Sequence, residues 1–124
     1  MAYESIRFSL SLAAESDMTE KQYNAVKVSN PYKADIATSA AEAVGIVTNN
    51  PKTGFGATVA IEGVTKIAVA SGAKVTAGKG VAITAGQASG DGGFGIMLET
   101  ATGPCLATIL LKNGNSAAGA SLGK

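Results

Sequence analysis

Apolar and polar side chains alternate without a break from Ser5 to Leu12. Ile6, Phe8, Leu10 and Leu12 fall on one face, and Ser5, Arg7, Ser9 and Ser11 fall on the other. A period of two is that of a half-buried strand. The same period returns in Tyr23-Asn24-Ala25-Val26-Lys27-Val28 and stops at Ser29-Asn30-Pro31, because proline has no N–H to give a ladder. Two later phrases resemble each other. Gly45-Ile46-Val47-Thr48 leads through a turn to Ala57-Thr58-Val59-Ala60-Ile61, and Gly95-Ile96-Met97-Leu98 leads through a turn to Leu106-Ala107-Thr108-Ile109-Leu110-Leu111. Each reads as glycine, apolar strand, turn, apolar strand, with reversals (Asn49 to Gly54, Glu99 to Pro104) of turn-forming composition. Two hairpins in related places are predicted.

Between and after these phrases the pattern stays β-like. Gly63 to Ala70 continues the β-branched run, and Gly72, Gly78, Gly80 and Gly86 punctuate short segments that carry Val75, Val81 and Ile83. Residues 34–44 are alanine-rich, but the stretch joins two strand signals and is too short for an independent helix, so it reads as strand plus turn. Short strands separated by turns at this spacing predict an all-β chain, a small barrel or sandwich built from hairpins, with an extended N-terminal strand or arm. The expected boundaries are an arm over 1–16, a β body over 17–112 and a flexible tail over 113–124, where Leu122 is the one sizeable apolar side chain. The polar stretch Glu15 to Gln22 separates arm from body and has room for one helical turn capped by Ser16 or Asp17. The expected core is Ile46, Val59, Ile61, Val69, Ile96, Leu98, Ile109 and Leu111.

The period of residues 5–12 reports burial of one face but not whose sheet supplies the cover. The strand closes its own sheet, or it docks on another chain by strand addition. The second reading makes Ile6, Phe8, Leu10 and Leu12 the docking residues and expects the body to stay folded when residues 2–14 are deleted.

Composition narrows the chemistry. A chain of 124 residues supports one domain that buries roughly two-thirds of its unfolded surface without staples. There is no histidine, which removes Cys/His and Ser/His/Asp catalysis and histidine-ligated zinc. The single cysteine, Cys105, has no intrachain partner and lies in an apolar run, where it reads as a small hydrophobe. Ten basic and nine acidic residues leave a net charge of +1, dispersed, and there is no tryptophan. Such a chain has no electrostatic footprint for nucleic acid or for an anionic membrane. Phe8 to Ala14 is broken by serines and preceded by Glu4, so neither a targeting segment nor a membrane span is expected.

Three stretches look chemical and fail on context. Gly90-Asp91-Gly92-Gly93-Phe94-Gly95 matches GxGxxG, but a short strand rather than a helix follows, and the stretch reads as a glycine-rich hairpin loop. Gly72 to Gly80 approaches a phosphate-binding loop, yet it has the wrong spacing and a glycine where a hydroxyl must reach magnesium. Lys66 sits inside an alternating strand, where a solvated lysine is expected rather than the lysine of a lipoyl or biotinyl carrier. The carboxylates Glu62, Asp91 and Glu99 are scattered singly. No catalytic, cofactor-binding or metal-ligating residue is proposed by the chain.

Taken in order, several segments resemble the small capsid-cement, or head-decoration, proteins of tailed bacteriophages. They are Asp17 to Val28 with its Lys21-Gln22-Tyr23 opening, Val44-Gly45-Ile46-Val47, Gly63-Val64-Thr65-Lys66, Ala77-Gly78-Lys79-Gly80-Val81 and Gly95-Ile96-Met97-Leu98-Glu99. The resemblance spans roughly residues 17–112, and the chain departs from the family pattern at Lys79, where an acidic residue is common, and at Met97, where a small one is common. It implies a non-enzymatic virion protein without a cofactor, made in the host cytoplasm and bound to the outer surface of an expanded icosahedral head. There it would hold neighbouring capsomers together, commonly as a homotrimer whose partner is the major capsid protein. On that reading the docking residues Ile6, Phe8, Leu10 and Leu12 meet a neighbouring subunit or the capsid protein. A competing reading is a small-molecule or sugar-binding β module of a fibre or surface protein. Such modules gather aromatic side chains at a concave site, and the six aromatics here are dispersed along the chain.

Overall fold

The computed structural model describes residues 5–112, leaving residues 1–4 of the expected arm and the whole expected tail outside the described part. The chain is all-β, and no helix forms among the described residues. Its strands are β1 (Ser5–Ala14), β2 (Ala25–Asn30), β3 (Lys33–Ile36), β4 (Gly45–Val47), β5 (Gly56–Val69), β6 (Lys74–Val75), β7 (Gly80–Thr84), β8 (Gln87–Gly92), β9 (Ile96–Met97), β10 (Ala101–Thr102) and β11 (Cys105–Leu111).

The pairings of five strands form a closed circuit. β1 runs antiparallel to β5, from Ser5 opposite Val64 to Ala13 opposite Gly56, and lies parallel to β3 at Ala13 and Ala14. β3 pairs with β2, β2 with β4 and β4 with β5. The result is an irregular barrel, because the β1–β3 closure is only two residues long. β5 then runs out of the circuit as a 14-residue strand and carries β11 and β9 as an open sheet, with β8 and β7 beside it. The two hairpins form and stand side by side in the order β4-β5-β11-β9.

Two buried clusters follow from this arrangement. The barrel interior holds Ala14, Val26, Ala34, Val47, Ala57 and Val59, to which all five circuit strands contribute, and Met18 fills it from the loop after β1. The larger cluster gathers Ile46, Ala60, Ile67, Val69, Val75, Val81, Ile83, Phe94, Met97, Ala107, Ile109 and Leu111. Phe94 and Met18 are fully buried, and burying a side chain of such size stabilises by about 1.5–3 kcal/mol.

β5 serves both clusters by changing face partway along. Ala57 and Val59 point into the barrel, whereas Ile67 and Val69, at the same odd positions, point into the larger cluster. A strict period of two forbids this, so one extra residue must intervene. The β1–β5 register shifts there, between Phe8 opposite Glu62 and Ser9 opposite Ala60. Gly63 follows at φ 120°, and a Cβ on it would stand 2.5 Å from the Ser5 carbonyl oxygen and 2.6 Å from the Arg7 nitrogen.

The face change corrects part of the expected core. Ile46, Val59, Val69, Ile109 and Leu111 are buried, but Ile61 and Ile96 are half-buried and Leu98 is exposed. Cys105 is exposed as well. It shares the core-facing parity of Ala107 but stands at the very start of β11, after the Gly103–Pro104 turn. The segment expected to hold a helical turn instead makes a non-helical turn, with the Lys21 N–H donating to the Met18 carbonyl. The expected glycine-rich loop is strand through Gly92, paired with β7.

Candidate docking surface

β1 is part of its own sheet, so its main-chain partners are β5 and β3 rather than another chain. The ten residues from Glu15 to Asn24 let the chain return to the body while Ala14 enters the barrel interior. Leu12 packs against that interior. Ile6, Phe8 and Leu10, by contrast, keep 37%, 49% and 40% of their surface exposed. The β3 contact ends at Ala13 and Ala14, and before it β1 is paired with β5 alone among the described strands. Three of the four expected docking side chains are therefore open, presented by a paired strand instead of a free arm.

The open apolar surface extends past β1. On β11, Ala107, Ile109 and Leu111 face the larger cluster, so Leu106, Thr108 and Leu110 face the other way. Cross-strand partners share a face. Val64 lies opposite Leu110, which lies opposite Ile96, and Ala68 lies opposite Leu106. Leu98 follows on the Ile96 side, where its N–H donates to the Thr108 carbonyl. Leu98 and Leu106 are 44% and 47% exposed. Because β5 changes face at its bulge, this surface continues the side of the sheet that lines the barrel.

Polar groups on this surface are few. Lys66 lies opposite Thr108, and its ammonium sits 5.4 Å from the centre of the Tyr23 ring, within reach of a weak cation–π attraction. Glu62 lies opposite Phe8 at the margin. Glu99 accepts hydrogen bonds from the Thr108 N–H at 2.8 Å and the Thr108 hydroxyl at 2.9 Å. These bonds favour the ionised form and hold the Glu99 carboxyl below its ordinary value of 4.5.

A second exposed feature lies at the closed end of the barrel. The carbonyls of Tyr32 and Phe55 accept from the adjacent N–H groups of Ala13 and Ala14. Two turns far apart in sequence are thereby fixed to neighbouring residues, with their aromatic side chains 82% and 67% exposed. Tyr32 also holds φ at 61°, a left-handed conformation that a bulky side chain seldom adopts.

The other titratable groups do not converge. Asp91 stands 4.0 Å from Lys79, and Glu42 binds Thr38. Glu15 accepts from Asn30 and Ser29. No group of three or more His, Cys, Asp or Glu side chains among the described residues could hold a metal. Nor, among them, is any helix long and apolar enough to cross a membrane. Sequence reading missed the two aromatic turns and the Leu98–Leu106 part of the surface. Alternation around Ile109 could have flagged Leu106 and Leu110 as a second apolar face, whereas nothing local ties Tyr32 to Phe55.

No family model matches the chain, and no curated protein matches its sequence. Its structure is similar to the N base of the head fiber gp8.5 in bacteriophage phi29, with a TM-score of 0.64 over 90% of this chain and 97% of that one. At 13% identity the two share a fold, and the fold shared is that of a phage head-fiber base.

Proposed function

We propose that this protein is a non-enzymatic structural component of a tailed-phage virion, bound to the outer surface of the head and stabilising the expanded shell. The observation that carries this reading is the likeness to a head-fiber base over nearly the whole chain. The exposed apolar surface supports it, since a lone soluble domain gains nothing from keeping Phe8, Leu10, Leu98 and Leu106 open. On this reading the major capsid protein is the partner, and Ile6, Phe8 and Leu10, though not Leu12, which packs on the barrel interior, contact it or a neighbouring subunit. The protein acts as a homotrimer that needs no cofactor. Three linked sites raise the effective concentration after the first contact, so each single contact can be weak. The test is sedimentation of purified protein with heads of its phage from which it has been stripped. Saturable co-sedimentation and greater resistance of the heads to heat support the proposal, and protein that stays in the supernatant at every concentration refutes it.

A sugar-binding module remains the second reading, and one observation favours it: Tyr32 and Phe55, dispersed in sequence, are brought to one end of the barrel. Glycan-array binding abolished by Tyr32→Ala would support it.

A further inference from the structure

We infer that the open sheet face is a self-association surface. In it the β1 margin of one copy, with Phe8, Leu10 and Glu62, packs against the β11–β9 side of the next copy, with Lys66, Leu98 and Leu106. This rests on the reading above of a ring-forming head protein and assigns its subunit contact.

Three observations point to a second copy as the occupant. The first is chemistry. The face is mostly aliphatic, with Val64, Leu110 and Ile96 on one side of the Lys66–Thr108 row and Ala68 and Leu106 on the other, and Leu98 and Leu106 stay exposed on it together with Phe8 and Leu10 toward β1. Interfaces between identical subunits resemble such cores more than transient surfaces do. The second is charge. Glu62 and Lys66 are both half-buried and form no ion pair among the described residues. They stand four positions apart on β5, about 13 Å along a strand, too far to pair with each other. One acid and one base on the same face make it complementary to a copy of itself, and a net charge of +1 leaves little long-range repulsion between copies. The third is geometry. The acid lies toward β1 and the apolar bulk lies toward β11 and β9, so matching unlike parts gives a head-to-tail contact, which closes into a ring when the rotation allows. The Tyr32 and Phe55 turns lie at the closed end of the barrel, off this face, and stay free for a different partner.

The experiment is analytical ultracentrifugation of the full chain across micromolar concentrations, with Glu62→Lys, Lys66→Glu, the double exchange and Leu106→Asp. Each single charge reversal is expected to weaken assembly about tenfold, and the double exchange to restore it to within about threefold of the parent. Leu106→Asp should give a monomer with a parent-like melting curve. A closed oligomer that none of the four variants perturbs overturns this assignment while leaving the ring-forming reading standing. Single reversals that weaken assembly without rescue by the double exchange overturn the Glu62–Lys66 pairing and with it the proposed contact. A parent chain that is monomeric at every concentration, alone and on heads, overturns both.

Discussion

The two faces of the β5–β11 pair carry similar side chains and meet opposite fates. Ile67, Val69, Ala107, Ile109 and Leu111 disappear into the larger cluster, while Val64, Ala68, Leu106 and Leu110 on the reverse stay half-buried or exposed. Hydrophobicity alone therefore does not place a residue in this core. What decides is whether the rest of the chain has an element to lay over it. β6, β7, β8 and the Phe94 segment cover one face, and the barrel's own closure covers the other only as far as Val59. The uncovered remainder is where a partner has the most to gain, since about 25 cal/mol is available for each Å² of apolar surface removed from water.

This contrast can be broken from the covered side first. Ile109→Ala should lower stability by about 2–4 kcal/mol in denaturant titrations, because the side chain is fully buried and leaves a cavity. Gly63→Ala comes next. Its Cβ would collide with β1 at a positive φ, so a loss of about 1–3 kcal/mol is expected. Hydrogen exchange should then accelerate in residues 5–9 ahead of the rest of the sheet. An unchanged exchange pattern would mean that the bulge does not fix β1.

Deleting residues 2–14 now carries a different expectation from the one the alternation suggested. Ala14 and Leu12 line the barrel and β1 is paired along β5, so the truncated chain should melt markedly lower. Removing only residues 2–9 should leave the barrel closed and the circular dichroism unchanged. On the open side, Leu106→Ser should shift stability by no more than about 0.5 kcal/mol, as an exposed substitution does, while weakening assembly.

The smallest effect concerns pH. The folded-state carboxyl of Glu99 lies below its ordinary 4.5, so its contribution is complete above that value and is lost as pH falls through the folded one. Glu15 and Glu42, also held low by hydrogen bonds, act in the same direction. Stability should decline below about pH 4.5, and Glu99→Gln should make that acid limb shallower in melting curves taken from pH 3 to pH 7.

Much of the strand order was legible because its signals are local. The period of two marked β1 and β2, proline ended β2, and glycine with turn residues marked both hairpins. Less legible was anything set by a single extra residue. The bulge near Ile61 exchanges the faces of β5 and cannot be seen in a run such as Val59-Ala60-Ile61-Glu62-Gly63, which looks continuous. Met18 sat in a polar stretch and still became a plug, because one side chain suffices to close a narrow barrel. Cys105 had the right parity for the core but the wrong place along its strand. As for the docking surface, alternation identified the apolar side chains of β1, but the second register shift, between Ile6 opposite Gly63 and Phe8 opposite Glu62, leaves Phe8 and Leu10 on one face and turns Ile6 to the other. Alternation was silent on whose sheet takes the backbone, because that depends on the loop from Glu15 to Asn24 and not on the strand.

The most direct test of the account is electron cryomicroscopy of the virion that carries this protein. Density with this all-β fold is expected on the outside of the head shell, repeated as rings in which the β1 margin of each copy meets the Leu98–Leu106 side of the next. Absence of the fold from the head, or its presence only in the tail, would contradict it.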